Sequence, residues 1–172
     1  MIAPTLHTER LLLRPLRLGD WTAMGAFLTS EASRYLGGPY RKEAAWNYFA
    51  ADVGAWELMG FGGWAVEERA TGALVGQVGL NRPAHFPEDE IGWTTFPAFQ
   101  RRGFAREAAE AARAYAYGEA GWTTAVSYVD PRNAASIALA RSLGCTLDPT
   151  AGLDPDDLVF RHPSPAALGL VA

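Results

Sequence analysis

Two arginines and a glycine at the start of a helix are a natural seat for phosphate, and Gln100-Arg101-Arg102-Gly103-Phe104-Ala105 supplies that set. A helix N-terminus carries backbone N–H groups without intrahelical partners and a partial positive charge, both of which favour an anion. Just upstream, Glu90-Ile91-Gly92-Trp93-Thr94-Thr95 reads as a strand and Phe96-Pro97 as a short turn. A strand in that place can lead the other end of a phosphate-bearing ligand toward a reacting centre. The competing reading is a solvated basic turn that only opens a helix.

The elements that must position this loop follow from periodicity. Residues 10–18 mix strand-like apolar residues with arginines, and Gly19-Asp20 gives a turn with Asp20 as N-cap of a helix that buries Met24, Phe27 and Leu28. A second helix is predicted from Trp46, Phe49, Ala50, Val53 and Trp56, which recur at helical spacing and are expected to face the core. After a break at Gly60 to Gly63, residues 64–68 and 73–80 form a hairpin across residues 69–72. A loop over 81–89 precedes the strand at Glu90.

A helix over 104–117 puts Ala105, Ala108, Ala109, Ala112 and Ala116 on one face, with Arg106, Glu107, Glu110 and Arg113 expected toward solvent. A strand over 123–129 follows, then a helix over 134–143 capped by Asn133 and stopped by Gly144. Residues 158–161 make a last strand after an acidic loop, and the tail beyond His162 is expected to fray. The order β-α-α-β-β-β-α-β-α-β gives a single α+β domain over residues 1–172, a mixed sheet flanked by helices. Only the crossover through 104–117 demands parallel neighbours.

Composition narrows the function. The 172 residues are 49% hydrophobic and 20% charged, enough for one core and unlike a disordered chain. A net charge of −4 argues against a general nucleic-acid binder, and the loop lacks the G-x-x-x-x-G-K-[ST] pattern. Cys145 is the only cysteine, expected to be a small buried apolar side chain, and His7, His85 and His162 show no metal spacing, so no metal is inferred. Those histidines read as surface or loop residues. No membrane-length apolar run and no signal-peptide core is found, which makes a cytoplasmic protein the expectation.

The ordered motifs resemble the GNAT superfamily of acyl-CoA-dependent N-acetyltransferases. Residues 100–105 match its Q/R-x-x-G-x-G/A loop, Ile91-Gly92-Trp93 with Phe96-Pro97 its preceding strand and turn, and Asn133-Ala134-Ala135-Ser136 through Leu143-Gly144 its N-x-x-S…L-G segment. Thr8-Glu9-Arg10-Leu11-Leu12-Leu13-Arg14-Pro15 and Gly19-Asp20-Trp21 look like the RimJ/RimL-type branch, related to ribosomal-protein N-terminal acetyltransferases. The resemblance covers about residues 5–161. It implies a largely antiparallel central sheet whose fourth and fifth strands are parallel and splay apart to form an acyl-CoA slot.

Carried residue by residue, it implies that N–H groups from Arg101 through Ala105 hold the coenzyme pyrophosphate. Gly103 then allows close approach, and Gln100 braces the loop. The backbone of Thr94, Thr95 and Phe96 would pair with the pantetheine arm, and Asn133 would contact the arm or only cap its helix. Glu90 is the candidate base, against a solvated carboxylate beside Glu88 and Asp89. The tyrosine acid of many members is replaced here by Ala140. Ser136 matches the serine of the N-terminal acetyltransferase branch, with Tyr128 as fallback acid.

The resemblance thus implies transfer from acetyl-CoA directly to a primary amine, on a protein N-terminus or a small molecule, by a monomer or homodimer. A non-catalytic acyl-CoA-binding or regulatory domain is the alternative. Glu88, Asp89 and Glu90, with Asp154, Asp156 and Asp157, hint at a cationic acceptor or form a solvated surface.

Overall fold

Alternating apolar residues place the strands in a single sheet in the computed structural model, which describes residues 3–149 and 156–170. In chain order come β1 (Leu6–His7), β2 (Leu11–Pro15), α1 (Trp21–Leu28), α2 (Lys42–Met59), β3 (Gly63–Glu68), β4 (Ala73–Asn81) and β5 (Glu90–Thr95). Then follow α3 (Phe104–Gly118), β6 (Val126–Val129), α4 (Ala134–Ser142), β7 (Thr146–Leu147) and β8 (Leu158–Arg161). The strands lie in the order β1-β2-β3-β4-β5-β6-β8-β7, all antiparallel except the parallel pair β5–β6. This is the mixed, largely antiparallel α+β sheet expected, with two short edge strands, β1 and β7, added. The acidic-loop residue Asp154 lies outside the described residues.

One face of the sheet carries α3, the other α1 and α2. Ala108, Ala112 and Ala116 are fully buried against Leu11, Leu13, Val66, Val78 and Ile91. Their small side chains let the helix backbone sit close to the strands. On the opposite face Met24, Phe27, Leu28 and Phe49 pack on Leu16, Ala65 and Phe96. A third cluster joins Ala109 of α3 to Ala140 and Leu143 of α4, to Val129, Phe160 and the buried Cys145.

Several expectations change on contact with the fold. Trp46 and Val53 are exposed, and the buried line of α2 runs through Ala45, Phe49 and Trp56, with the half-buried Asp52 in phase with them. Arg113, expected toward solvent, is buried, where it donates to the Leu143 carbonyl at 2.7 Å; it lies one turn after Ala109 on the same face of α3, beside α4. His162 is buried rather than superficial. The tail is docked as far as it is described: Tyr117 donates to the Pro163 carbonyl at 2.9 Å, residues 166–168 form a 3-10 turn, and Leu168 packs on the core.

Asp20 does not cap α1 with its side chain. Its carboxylate instead accepts both terminal nitrogens of Arg14 at 2.8 Å and the Arg17 N–H at 2.9 Å. Arg14 also donates through Nε to Glu67 at 2.8 Å, so a buried guanidinium ties β2 and β3 to the start of α1. Burial alone would raise the Asp20 carboxyl, but the Arg14 hydrogen bonds and charge and the Arg17 N–H overcome it and hold the group below the usual carboxylate range. Its contribution to stability is therefore present above the pKa of the unfolded chain and is lost as pH falls through the depressed folded value. Asp20→Asn should cost about 2–3 kcal/mol at pH 7 in urea unfolding. That deficit should shrink as pH falls below the ordinary carboxylate range and vanish once it passes the depressed folded value, where wild type is protonated too.

Candidate active site

The sheet opens between β5 and β6. Their shared register is one pair, Glu90 opposite Val126, with the Val126 N–H donating to the Asp89 carbonyl at 2.9 Å. One residue further on, the Ile91 carbonyl accepts the Ser127 hydroxyl at 2.6 Å instead of a backbone N–H. Beyond that point the two strands share no rung. In an antiparallel pair, alternate residues turn their N–H and C=O toward the same neighbour. Phe96 donates to Val75 at 2.9 Å, and the Thr94 oxygen lies against Gly76, where an added Cβ would come within 2.0 Å of it. Thr94 and Phe96 thus serve β4, whereas the main chains of Trp93 and Thr95 face the opening. Gln100 Nε2 donates to the Thr95 carbonyl at 3.3 Å, tying the loop to the end of this edge.

At the wide end of the opening stands the N-terminus of α3. Gly103, at φ +81°, precedes it without any side-chain cap, and among the described residues the N–H groups of residues 101–106 donate to no other residue. Arg101 also takes a left-handed φ of 61°. Its exposed guanidinium has no ion-pair partner among the described residues. Arg102 is committed elsewhere: it pairs with Glu68 and lies over the Phe104 ring at 4.5 Å. The loop is fixed from below, since Arg10 donates to the Arg102 carbonyl at 2.8 Å and pairs with Glu107 at 2.7 Å. Ala105, the second residue of α3, adds no bulk beside these amides.

At the narrow end stands Glu90. Its Oε2 accepts Asn81 Nδ2 at 2.7 Å, and the Tyr128 backbone N–H of β6 also supports the charged form. Burial prevails over both and, with the nearby Asp52 and Asp157 charges, pushes the carboxyl up to about 7. Asp52 of α2 is held in a parallel way, accepting Gln77 Nε2 at 2.6 Å, and burial pushes it up to about 6. Tyr48, one turn earlier on α2, is raised by burial and by the charges of both carboxylates.

A row of three glycines across the sheet makes this arrangement possible. Gly63 pairs with Gly79, and Gly79 pairs with Gly92. A Cβ at Gly63 would stand 2.7 Å from Gln77 Nε2, and one at Gly92 would stand 3.0 Å from Asn81 Nδ2. Without side chains in the row, both amides lie flat on the sheet and aim along it at the carboxylates.

Ser136 and Asn133 approach from the other face. Asn133 caps α4, its Oδ1 accepting the Ser136 N–H at 3.1 Å, and Ser136 Oγ accepts Trp93 Nε1 at 3.3 Å. That bond leaves the serine's own proton available at the side of the opening. Tyr128 packs edge-on to Phe86, and its hydroxyl is buried without a hydrogen-bond partner among the described residues. Behind Ser127, His162 Nε2 lies 3.0 Å from the serine oxygen and Nδ1 lies 3.4 Å from Arg113. Because that serine donates to Ile91, the imidazole donates through Nε2 and accepts at Nδ1. Burial and the Arg113 charge push it down to about 3, so this histidine is a neutral strut and not a base.

Glu90, Thr95, the 100–105 loop, Asn133 and Ser136 thus converge on one opening. Sequence reasoning missed Asp52, Gln77, Asn81 and Tyr48. The available signal was the glycine spacing at 63, 79 and 92 and a carboxylate in phase with a buried helix stripe. Among the described residues, no group of His, Cys, Asp and Glu has the geometry of a metal site, and no helix is long and apolar enough to cross a membrane.

Comparison with known proteins matches residues 10–146 to the family described as the acetyltransferase (GNAT) domain. The chain is 29% identical over 145 residues to an uncharacterized N-acetyltransferase, YoaA, of Bacillus subtilis, covering 82% of each. A crystal structure of an acetyltransferase from Agrobacterium tumefaciens superposes with a TM-score of 0.91 at 42% identity, over 95% of this chain and 96% of that one. The ribosomal-protein-S5-alanine acetyltransferase of Vibrio fischeri shares the fold, with a TM-score of 0.69 at 14% identity over 94% and 97% of the two chains. The chain belongs to the GNAT acetyltransferase family.

The raised Glu90 carboxyl has a thermodynamic signature. A folded-state value of about 7 against an ordinary 4.5 means that folding favours the protonated form, so Glu90 costs stability increasingly as pH rises from 4.5 toward 7. Glu90→Gln, which keeps an acceptor for Asn81, should melt roughly 5–10 °C above wild type at pH 8 and level with it at pH 4.5. Equal melting at both values would place the carboxyl in its ordinary range.

Proposed function

We propose that this family member is an acetyl-CoA-dependent N-acetyltransferase that passes the acetyl group directly to a primary amine, on a protein N-terminus or a small molecule. The observation that carries the reading is the opening between β5 and β6, with free N–H groups of α3 at its wide end and Glu90 at its narrow end. The fit to the coenzyme is chemical. The amides of residues 101–106, with Arg101, suit a pyrophosphate, and the free main-chain edge of Trp93 and Thr95 suits the amide-bearing pantetheine arm. The opening motif at residues 8–15 supports the RimJ/RimL-type branch and hence a cytoplasmic setting.

Acetyl-CoA supplies the activated acyl group as a thioester. Glu90 takes the proton that an acceptor ammonium, with an ordinary pKa of ~10, must lose before its nitrogen can attack, directly or through a water. The new N–C bond forms as the C–S bond breaks, and the nitrogen's remaining excess proton passes to solvent. A free N–H of the β5 edge meets the charge developing on the acyl oxygen. The departing thiolate takes the Ser136 hydroxyl proton, which solvent restores. Asn133 fixes the first turn of α4, and the Trp93 indole orients Ser136 Oγ.

Acetyl-CoA should raise the melting temperature of wild type and not of Gly103→Glu, which brings a carboxylate and a side chain to a left-handed position among the free amides. Glu90→Gln should keep the thermal shift and lose about 100-fold in kcat. The pH dependence of kcat/KM should rise through about 7 in wild type, as Glu90 ionises, and lose that limb in the variant. Binding without thiol release on any amine would make the chain an acyl-CoA-binding domain instead.

A further inference from the structure

This chain neutralises its carboxylates with arginine almost everywhere it buries them. Over residues 3–149, every buried or half-buried Asp and Glu but two has an arginine within ion-pair distance. Asp20 and Glu67 share Arg14, Glu68 has Arg102, Asp89 has Arg82, Glu107 has Arg10, and Asp130 has Arg132. Glu88 and Asp148 share Arg161. The two exceptions are Asp52 and Glu90, whose hydrogen-bond partners are neutral: the Gln77 amide for Asp52, and the Asn81 amide and the Tyr128 backbone N–H for Glu90. They come from different elements, α2 and β5, yet face the same glycine row and each other's field. A half-buried carboxylate held only by an amide keeps most of its charge uncompensated, which costs free energy unless a cation arrives.

We propose that the missing cations belong to the acceptor: Asp52 is a specificity residue that binds a second positive group on the amine substrate, while Glu90 serves the amine that is acetylated. This rests on the acetyltransferase reading above. Gln77 and Asn81 lie four residues apart on β4, about 13 Å along the strand, but both amides turn in over the glycine row between them, Gln77 Nε2 to 2.7 Å from a Cβ at Gly63 and Asn81 Nδ2 to 3.0 Å from one at Gly92, where they meet Asp52 and Glu90. A short spacer between the two cationic groups therefore suits the site. The second charge can come from an aliphatic diamine or from a basic residue next to a peptide N-terminus.

The test is thiol release from acetyl-CoA with four acceptors: 1,4-diaminobutane, n-butylamine of the same reach, and the peptides Ala-Arg-Ala-Ala and Ala-Gln-Ala-Ala. In wild type the dicationic member of at least one pair should exceed its monocationic counterpart by about tenfold or more in kcat/KM. Asp52→Asn, which keeps the shape and a partner for Gln77, should bring that ratio toward one, mainly through KM, while retaining the acetyl-CoA thermal shift. Asp52→Glu should restore part of the ratio. The pair that shows the effect identifies the source of the cation. Equal use of both members of each pair, or an unchanged ratio in Asp52→Asn, overturns the proposal and leaves the acetyltransferase reading intact. No thiol release with any acceptor overturns both.

Discussion

The architecture turns on how little joins β5 to β6. One backbone bridge, Glu90 opposite Val126, and one side-chain bond, Ser127 to Ile91, close the parallel pair; past them the strands part. Two parallel strands with a full ladder would consume the main chain of Trp93 and Thr95. Here a serine hydroxyl ends the ladder, and the edge of β5 stays open inside the sheet. Such an edge is a liability on a protein surface, but here α3 and α4 flank it on one face and α1 and α2 on the other. The divergence is held by a buried strut in which the neutral His162 links Ser127 to the Arg113 guanidinium, which reaches the Leu143 carbonyl at the end of α4. The tail that follows His162 is docked by Tyr117 and Leu168, so the strut lies under packed chain.

From this vertex the chemistry divides by face. Side chains on the α1–α2 face are polar and acidic: Glu90, Asp52, Gln77 and Asn81 around the glycine row. The opposite face offers Ser136 and Trp93. At the wide end, the free amides of α3 supply positive potential together with Arg101, while Arg102 is already paired. A coenzyme entering from the wide end and an amine arriving over the glycine row would meet at Glu90. The separation of an anion-binding end from an acid-lined end is a consequence of one sheet being split at one point.

Much of this was legible in the sequence, for physical reasons that differ by element. The alanine face of α3 at 108, 112 and 116 and the phosphate-type loop before it are local patterns, and they appear where periodicity and helix-terminus chemistry put them. The parallel pair followed from the length of the crossover. What failed was everything decided by long-range contact. Val53 and Trp46 have the right chemistry for a buried stripe but the wrong phase, and Asp52, which has the right phase, looks like a surface residue until Gln77 is brought to it. Arg113 and His162 read as solvated because their partners lie 30 or more residues away. Asp20 is a good capping residue that Arg14 recruits instead. No local rule reveals that Asp52 and Glu90 lack the arginines given to their peers, because that is a property of pairing in three dimensions.

The most direct test of the split sheet as the coenzyme's seat is amide hydrogen exchange, residue by residue, with and without coenzyme A. In the free protein the Trp93 and Thr95 amides should exchange much faster than those of Thr94 and Phe96, which bond to β4. Coenzyme A should slow Trp93, Thr95 and the amides of residues 101–106 together while leaving Thr94 and Phe96 unchanged. Protection of Trp93 and Thr95 already present in the free protein, or a coenzyme footprint that omits β5 and the start of α3, would contradict the account.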